Sequence, residues 1–474
     1  MRYIVLREQD YIDRECLAKR IDFSLEKIDD LLKRLLDLEI VKCVNTSLVP
    51  PSKTKMFKLN FVGVILVESV AIYCAPKYMQ SDVSLQDMRN VMRALRHYEF
   101  DSEDLDISIE LEANVYNHIS TILSLLFDYE EHGLYLTSEK RYEMNGRGSI
   151  DWNRTISHHL PVVFDGIPIY LDYEARESID DASDYITRLH QAVLTCCSLE
   201  LENAGLLDIF GLSPICLSEK PFEDFGDIEY VLQKISQRMS GEFVTWRMGV
   251  LKLLYSYIDN SLNPLNNIQL VYYGTCSFYS VWEKSCKVAF SDMLKKRLED
   301  LPISLSKNWT KRSQSTLLDV IPSPKWRLSS LNGEELQCDS VGTLIPDIVV
   351  VSEDSKGLKE FSIYDAKYYN PVFNKRLSNV PGVESIAKQF LYQSAYRDFI
   401  LDNHFDVVKN AFLFPTSENS FSRIGDVTFE IIETGGPPFS SAVDIIFAPA
   451  DLILSCYISQ KSLTMAEMTF SGFR

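Results

Sequence analysis

The sequence lacks the local signatures of several common protein classes. Its ten cysteines include no CxxC pair and its seven histidines form no cluster, so a zinc site is not indicated. No GxSxG segment supports a serine hydrolase, and the glycine-rich segment 146–149 has neither the length nor the lysine of a P-loop. No apolar run approaches the ~20 residues that span a bilayer, and the first 15 residues are too charged for a signal peptide. We therefore expect a cytoplasmic protein with buried, reduced cysteines and no membrane association.

Basic residues are scarce relative to acidic ones. The 48 lysines and arginines stand against 67 aspartates and glutamates, which gives a formal net charge of -19. A chain of this charge would bind a polyanion only through a local basic patch, with a partner supplying part of the affinity. The 474 residues, 46% of them hydrophobic, have an ordinary globular composition. Because typical domains have roughly 100–200 residues, two or three domains are expected.

The first two predicted regions differ in their hydrophobic periodicity. Residues 1–50 predict a helix over 10–20, a second helix capped by Ser24 and a strand over 40–43, which is typical of a winged-helix-like unit. Because acidic and basic residues are mixed along the second helix, protein docking is favoured over DNA reading. Residues 55–265 predict a second, adaptor-like region. Its predicted elements are a strand hairpin over 61–67 and 71–75, helices over 84–100, 108–127, 180–204 and 228–258, and β-rich structure over 134–175.

The third region, 266–474, predicts an α/β sandwich. The expected elements are helices over 278–299 and 382–402 and strands over 343–351, 360–367, 409–414, 427–433 and 443–447. The whole chain is therefore predicted to be α/β, with a multi-domain α+β organisation.

Three ionisable residues in this third region are candidates for catalysis. Asp347 interrupts an apolar strand, where a lone carboxylate is costly to bury without a partner or a metal. Asp365 and Lys367 lie two residues apart in the next predicted strand, so their side chains point to the same face. A turn between the strands would bring Asp347 and Asp365 together. The alternative for such a weak pattern is a set of solvated surface charges.

This arrangement suits metal-dependent hydrolysis of a phosphodiester bond. The carboxylates of Asp347 and Asp365 and the main-chain carbonyl of Ala366 would form a hard oxygen site that prefers Mg²⁺, with Mn²⁺ able to substitute. Such a metal activates water and neutralises the charge that develops on the phosphate. Lys367 would hold the attacking water or stabilise the same charge.

Two further candidates lie on the flanking helices. Glu283 is either an additional metal ligand or supporting group, or a helix-surface carboxylate facing Lys287 four residues later. Gln389, with Tyr392 on the same predicted helix, either contacts DNA or braces Lys367, or simply packs the helix.

Basic residues gather just before the candidate catalytic strands. This stretch, with Trp309 and Trp326 interleaved, is a candidate for contact with DNA phosphates. Its alternative is an ordinary solvated loop. The basic residues are Lys307, Lys311, Arg312, Lys325 and Arg327.

Four separated pieces of the sequence together resemble a known family. They are residues 61–65 with 75–78, the distinctive segment 145–156, the helix containing Trp282 and Glu283, and the core over 346–396. In this order they resemble the LlaJI restriction endonucleases, McrC-like nuclease subunits with a PD-(D/E)xK core. The resemblance implies a type II or type IV-like restriction deoxyribonuclease in anti-phage defence, with Asp347, Asp365 and Lys367 as its catalytic residues by position.

The resemblance also implies partners. They are double-stranded DNA and a McrB-like AAA+ GTPase that the 55–265 region would engage. Candidates for that contact lie in the distinctive segment, namely Arg147, Asp151, Trp152, Asn153 and Arg154. The alternative, which we favour for these five residues, is a structural turn around a buried tryptophan.

Two other functions stay open. The first is a non-catalytic winged-helix DNA-binding or scaffold protein with a degenerate nuclease fold, although the intact Asp-Asp-Lys set argues against it. The second is a self-sufficient nuclease. The strongly acidic charge and the long region before the candidate core favour dependence on a partner instead.

Overall fold

The computed structural model describes residues 2–44, 56–67, 70–80, 83–101, 118–181, 183–203, 205–261, 270–329, 335–339, 342–373 and 377–463. The chain forms two units. The core unit comprises residues 2–65, 70–113 and 274–474, and the inserted unit comprises residues 66–69 and 114–273. Helices and several separate sheets together confirm the predicted multi-domain α+β class. The domain boundaries at residues 50 and 265 stay predictions.

The N-terminal part of the chain has the order of a winged helix. Two helices are followed by two strands, and β2, β4 and β3 form an antiparallel sheet in that order. Ser24 caps the second helix by accepting from the N–H of Lys27, as the sequence predicts. The elements are β1 (Arg2–Arg7), β2 (Tyr11–Asp13), α1 (Arg14–Ile21), α2 (Leu25–Asp37), β3 (Val41–Val44), β4 (Met56–Leu59), β5 (Val62–Val67), β6 (Val70–Ala75) and α3 (Leu85–Asp101).

Two features of this part differ from the sequence prediction. The helix expected from residue 10 begins only at Arg14, because residues 11–13 pair with β4 and Asp13 provides the cap. Strand β1 was not predicted at all. It pairs in parallel with β6, from Arg2 opposite Val70 to Arg7 opposite Ala75, so the first residues of the chain are part of the core unit.

The inserted unit combines helices with small antiparallel sheets. Strands β7, β11 and β8 form one sheet and β9 and β10 form a hairpin, which confirms β structure over 134–175. The elements are α4 (His118–His132), β7 (Thr137–Met144), β8 (Ser149–Ile150), α5 (Trp152–His158), β9 (Val162–Phe164), β10 (Ile167–Ile169), β11 (Glu174–Asp181), α6 (Tyr185–Asn203), α7 (Leu207–Phe210), a 3-10 helix (Phe222–Phe225), α8 (Ile228–Met239), α9 (Thr245–Ser261) and β12 (Leu270–Thr275), whose last two residues enter the core unit.

Three helices predicted for this unit have different bounds. The helix over 180–204 begins only at Tyr185, because Asp180 and Asp181 belong to β11. The helix over 228–258 is broken into α8 and α9, and in the turn between them the Glu242 carboxylate accepts from the N–H groups of Phe243 and Val244. The start predicted at residue 108 for α4 lies outside the described residues.

The C-terminal part of the core unit contains a five-stranded sheet. Its order is β15-β16-β19-β21-β20, with β16, β19 and β21 parallel and both edge strands antiparallel. The elements are α10 (Phe278–Ala289), a 3-10 helix (Leu298–Asp300), α11 (Lys307–Thr310), α12 (Leu317–Val320), β13 (Lys325–Ser329), β14 (Glu335–Asp339), β15 (Ile348–Glu353), β16 (Lys359–Ala366), β17 (Val372–Phe373), β18 (Leu377–Ser378), α13 (Val383–Ala395), α14 (Arg397–Asp402), β19 (Val407–Thr416), β20 (Ser422–Val427), β21 (Val443–Pro449) and α15 (Ala450–Ile458).

Helices cover both faces of this sheet, as a sandwich requires. On one face, Phe361 and Ile363 of β16 are buried against Tyr396 and Phe399 of the α13–α14 region. On the other face, Tyr364 packs against Phe290 at the end of α10. Burial of each large apolar side chain contributes about 1.5–3 kcal/mol, so the alternating pattern of β16 fixes which residues face each layer.

Several elements of the sandwich differ from the prediction. The strand expected over 343–351 begins only at Ile348, so Asp347 precedes it, and the helix expected over 382–402 is divided into α13 and α14 at Tyr396. The helix expected over 278–299 ends at Ala289, because Ser291 adopts a left-handed conformation (φ 55). The N–H of Asp292 then donates to the carbonyl of Lys287, a hydrogen bond typical of a helix C-terminus. The strand expected over 427–433 is instead Ser422–Val427. Beyond it the chain turns, with the N–H of Ile432 bonded to the carbonyl of Phe429.

The described residues also bear on the expectations about membrane-spanning helices and about the cysteines. None of their helices is both long and apolar enough to cross a membrane. The cysteines whose side chains are described are free, which agrees with the prediction. Burial was wrongly predicted for four of them, since Cys16, Cys43, Cys216 and Cys276 are exposed.

Candidate active site

The pairing of β15 with β16 brings the two candidate aspartates together. Ile348 lies opposite Tyr364 in this antiparallel pair, so Asp347, one residue before β15, lies opposite Asp365. Asp347 also accepts a hydrogen bond from the main-chain N–H of Ala366, at 3.1 Å from its Oδ2. Pro346 and Asp347 precede the first residue of β15. The Asp347 carboxylate accepts an N–H that the main-chain carbonyl of a paired strand would accept in a regular sheet. The convergence expected from the sequence is therefore present.

Asp365 and Lys367 share one face at the end of β16. The Lys367 Nζ lies 2.9 Å from the Asp365 Oδ1, and the two side chains are 23% and 7% exposed, respectively. Because Phe361 and Ile363 on the same face are buried in the core, only the end of this row of side chains reaches solvent. Lys367 is therefore held beside the carboxylates and is accessible from one side.

The electrostatics of the pair are those of crowded carboxylates. Burial, followed by a hydrogen bond to Asp365 and by the charges of Asp365 and Glu283, raises the pKa of Asp347 to about 8, although Lys367 opposes the shift. A carboxyl group with this pKa keeps its proton near neutral pH unless another cation replaces it. The site is thus short of positive charge.

The residues at this point fit a divalent metal ion with oxygen ligands. The carboxylates of Asp347 and Asp365 and the carbonyl of Ala366 are hard ligands of the kind that Mg²⁺ prefers. Throughout the described residues, no group of three or more His, Cys, Asp and Glu side chains is arranged to hold a metal. A metal here would consequently depend on the main-chain carbonyl as well as on the two carboxylates.

Glu283 lies on the helix surface and faces Lys287, which is the second of the two predictions from the sequence. Its Oε1 lies 2.6 Å from the Nζ of Lys287, one helical turn later on α10. Its charge nevertheless contributes to the raised pKa of Asp347, so Glu283 belongs to the same electrostatic cluster. A direct catalytic role for Glu283 stays a prediction.

Gln389 and Tyr392 lie on α13, which packs against β16 and β19. Gln389 is fully buried, and its side-chain amide has no hydrogen-bond partner among the described residues. Burial raises the pKa of Tyr392 to about 12, and the charges of Asp365, Asp347 and Glu283 add to this shift. Tyr392 therefore faces the carboxylate cluster. A buried amide without partners is costly, and a role of Gln389 in contacting DNA or bracing Lys367 stays a prediction.

The basic stretch is divided between two settings. Lys307, Lys311 and Arg312 are exposed around α11, and the guanidinium of Arg312 donates to the carbonyl of Asp319. Lys325 and Arg327 are exposed and lie on β13, which pairs with β14. The two tryptophans differ: Trp309 is buried and donates to Asp402, whereas Trp326 is exposed. Contact of these cations with DNA stays a prediction.

The distinctive segment folds as a turn of the inserted unit, and its contact with a partner stays a prediction. Asp151 caps α5 by accepting from the N–H of Arg154, and the Arg154 guanidinium lies 4.0 Å above the ring of Tyr142. A Cβ atom on Gly148 would lie 2.3 Å from the carbonyl oxygen of Arg176, so only glycine fits there.

The tryptophan in this turn does not have the predicted burial. The expectation of a buried side chain is wrong, because Trp152 is 54% exposed. Its ring stands edge-on to Tyr170, while Arg147 and Asn153 are exposed nearby in sequence.

A large apolar surface follows this turn. Leu160 is 95% exposed and Phe164 is 72% exposed, and most other apolar residues of the β9–β10 hairpin and its flanks are also exposed. This surface could not be predicted from the sequence, because its β-branched and aromatic residues are equally typical of buried strands. An exposed apolar surface of this extent is typical of an interaction site. The other exposed members are Ile156, Val162, Val163, Ile167, Ile169 and Leu171.

The chain is similar to known proteins over most of its length. Residues 61–448 match the family described as LlaJI restriction endonuclease. The chain belongs to this family. The matched range contains Asp347, Asp365 and Lys367 as well as the turn at 145–156, and membership confirms the coarser prediction of a restriction nuclease.

The individual proteins that the chain resembles share less than 30% of its sequence. A protein named type II restriction enzyme BsuMI component YdjA, from Bacillus subtilis (strain 168), is 27% identical over 424 residues, which are 86% of this chain and 82% of that protein. Among solved structures, a half-complex of Thermococcus gammatolerans McrB AAA+ hexamers with bound McrC covers 96% of this LlaJI-family chain and 99% of its own at 13% identity and a TM-score of 0.37. The McrBC complex of the same organism covers 55% and 87% at 14% identity and a TM-score of 0.22. At these TM-scores neither similarity establishes a shared fold.

Proposed function

We propose that this LlaJI-family chain hydrolyses phosphodiester bonds of double-stranded DNA at a PD-(D/E)xK site formed by Asp347, Asp365 and Lys367. The reaction depends on Mg²⁺, for which Mn²⁺ substitutes. Family membership supports the nuclease class. The observation that carries the site is the crowding of Asp347 and Asp365, which leaves Asp347 with a pKa of about 8 in the absence of a metal.

The roles of the residues follow from their positions. Asp347, Asp365 and the Ala366 carbonyl would hold the metal, which lowers the pKa of a bound water and neutralises charge on the phosphate. Lys367, beside Asp365 and partly exposed, orients the attacking water or binds a non-bridging phosphate oxygen. The buried amide of Gln389, without a partner among the described residues, and the Tyr392 hydroxyl support the face on which these groups lie.

DNA would be held mainly by local cations. Lys307, Lys311, Lys325 and Arg327 are exposed in the core unit, which also contains the site. Each phosphate contact contributes a term that weakens as salt concentration rises. Because the chain as a whole carries a charge of -19, these contacts alone give weak binding, and a partner supplies the remainder.

The proposed partner is a McrB-like AAA+ GTPase that activates cleavage. The exposed hairpin of the inserted unit, with Trp152 beside it in sequence, provides an apolar surface for such a partner. The Bacillus subtilis relative is named a component of a restriction enzyme, which is consistent with assembly from several chains.

Cleavage of supercoiled plasmid by the purified chain tests the site first. We expect nicking or linearisation with Mg²⁺ or Mn²⁺, none with EDTA, and none by the Asp365→Ala variant. If the chain alone is inactive, the same assay with a McrB-like GTPase and GTP separates dependence on a partner from an inactive fold. Cleavage by Asp365→Ala equal to that of the wild type would refute the assignment of the site.

A further inference from the structure

A buried polar cluster joins the N-terminal strand to the end of the candidate catalytic strand. Glu8 follows β1 directly and is only 8% exposed. The Tyr368 hydroxyl donates a short hydrogen bond to the Glu8 Oε2, across 360 positions of sequence. Tyr368 is the residue immediately after Lys367, so the hydrogen bond anchors the chain at the point where the lysine leaves the sheet.

Lys77 completes this cluster from a third segment. Its main-chain N–H lies 3.3 Å from both the Tyr368 hydroxyl and the Glu8 Oε2. Its ammonium Nζ lies 3.8 Å from the Glu8 Oε1 and 4.1 Å from the centre of the Tyr368 ring. Asn370 adds a hydrogen bond from its side chain to the Lys77 carbonyl. Tyr368 and Asn370, which lie just beyond β16, are therefore both tied to the chain after β6.

The ring of Tyr368 is also held by aromatic neighbours. Its centre lies 5.3 Å from that of Phe278 on α10 and 6.3 Å from that of Tyr78, which meets it edge-on. One residue earlier in the chain, the main-chain N–H of Lys367 donates to the carbonyl of Leu413 at 2.9 Å. The backbone of Lys367 is thus fixed on both sides, by β19 and by the Glu8–Lys77–Tyr368 cluster.

We infer that Tyr368, held by Glu8 and Lys77, is a positioning residue for Lys367, which makes the N-terminal strand a working part of the nuclease site. Tyr368 packs on Phe278 of α10, whereas the Lys367 side chain pairs with Asp365, so Tyr368 sets the backbone of Lys367 without touching substrate. A misplacement of about 1 Å at a reacting group lowers a rate by about a hundredfold. This inference rests on the proposed role of Lys367.

The first test compares Tyr368→Phe with Tyr364→Phe. Tyr364 lies four residues earlier, packs against Phe290 as Tyr368 packs against Phe278, and is buried to the same degree. In single-turnover cleavage, assayed with the GTPase if it is required, we expect Tyr368→Phe to lower the rate by about ten- to a hundredfold with an unchanged KM for DNA. Tyr364→Phe should leave the rate within about twofold of the wild type. Equal rates for Tyr368→Phe and wild type, or equal losses in both variants, would overturn the inference.

Variants of Glu8 separate positioning from general loss of stability. Glu8→Gln keeps an acceptor for the Tyr368 hydroxyl, and it should retain most of the cleavage rate. Glu8→Ala removes the acceptor, and it should match the loss in Tyr368→Phe. If Glu8→Gln is as slow as Glu8→Ala at a temperature where both are folded, the hydrogen bond does not position Lys367.

A measurement without DNA makes the result independent of the proposed activity. Reductive methylation of surface amines, read by mass spectrometry, should modify Lys367 faster in Tyr368→Phe than in wild type. Lys409, which also pairs with a carboxylate (Glu360 at 2.8 Å), provides the internal control and should not change. If the wild-type chain never cleaves DNA but Lys367 is still modified faster in Tyr368→Phe than in wild type, the proposed function is refuted and the positioning role is kept. No change at Lys367 would refute the positioning role itself.

Discussion

The indole N–H of Trp282 donates to the main-chain carbonyl of Leu413 at 3.3 Å. The same carbonyl accepts from the N–H of Lys367 at 2.9 Å, so α10 and the chain just after β16 both bond to one oxygen atom of β19. Trp282 is completely buried and lies one residue before Glu283. The helix therefore supports the site through a hydrogen bond as well as through packing.

Replacement of this tryptophan should weaken both the fold and the site. Trp282→Phe leaves a cavity and removes the indole donor, which should cost about 1–3 kcal/mol of unfolding free energy. Urea unfolding measures this loss, and cleavage at a temperature where the variant is folded measures the effect on Lys367. A variant as stable as the wild type would show that the buried indole contributes little.

Loss of the lysine side chain should remove activity without unfolding the chain. We expect Lys367→Ala to lower the cleavage rate by about 10²–10³, the effect typical of removing one group that stabilises charge in a transition state. Its thermal midpoint with Mn²⁺ present should stay close to that of the wild type. Lys409→Ala is the control, because Lys409 also forms an ion pair on this sheet. A normal rate for Lys367→Ala would contradict the catalytic role.

The stability of the metal-free core unit should fall as pH rises. The pKa of Asp347 is raised in the folded protein, from 3.8 to about 8, by burial and by Asp365. The folded state therefore keeps a proton that the unfolded state has lost, so its stabilising effect is complete below pH 4 and disappears as pH rises through 8. Thermal unfolding in EDTA between pH 5 and 9 should show this slope, and Asp347→Asn should reduce it. The same slope in both proteins would show that Asp347 is not its source.

The inserted unit should respond to pH in the opposite direction. Burial lowers the pKa of His190 to about 4, and its Nδ1 accepts from the N–H of Tyr135. Because this pKa lies below the unfolded value of 6.5, the stabilising effect is present above 6.5 and is lost as pH falls through 4. Hydrogen exchange of α6 should accelerate over this range in the wild type. In His190→Gln, which keeps an acceptor but does not titrate, the acceleration should be weaker.

The exposed hairpin should matter for activation but not for folding. Replacing Phe164 and Ile167 together by serine removes apolar surface that is already in water, so unfolding free energy should change by less than about 0.5 kcal/mol. Stimulation of cleavage by the GTPase should fall at least about tenfold, which corresponds to about 1.4 kcal/mol of lost binding. Ile431→Ser, at an equally exposed site of the core unit, is the matched control. Full stimulation of the double variant would exclude the hairpin as the docking surface.

Much of the site was predictable because it depends on local properties of the chain. The apolar alternation around Asp365 predicts a strand, and a period of two puts Lys367 on the same face. Ser24 before a helical pattern predicts a capped helix start. Predictions failed where a distant segment decided the outcome. Strand β1 exists because β6 offers it a parallel partner, and Trp152 is exposed because no layer covers its turn within the described part of the inserted unit.

The sequence by itself determined the chemical groups of the site, their spacing within one strand and the family to which they belong. The tertiary structure decided which groups meet. The register of β15 on β16 brings Asp347 opposite Asp365 and raises its pKa, and the buried cluster around Tyr368 joins segments 360 positions apart. The physical reason is range: side-chain periodicity and capping act over a few residues, whereas burial and charge crowding depend on every segment that packs around a group.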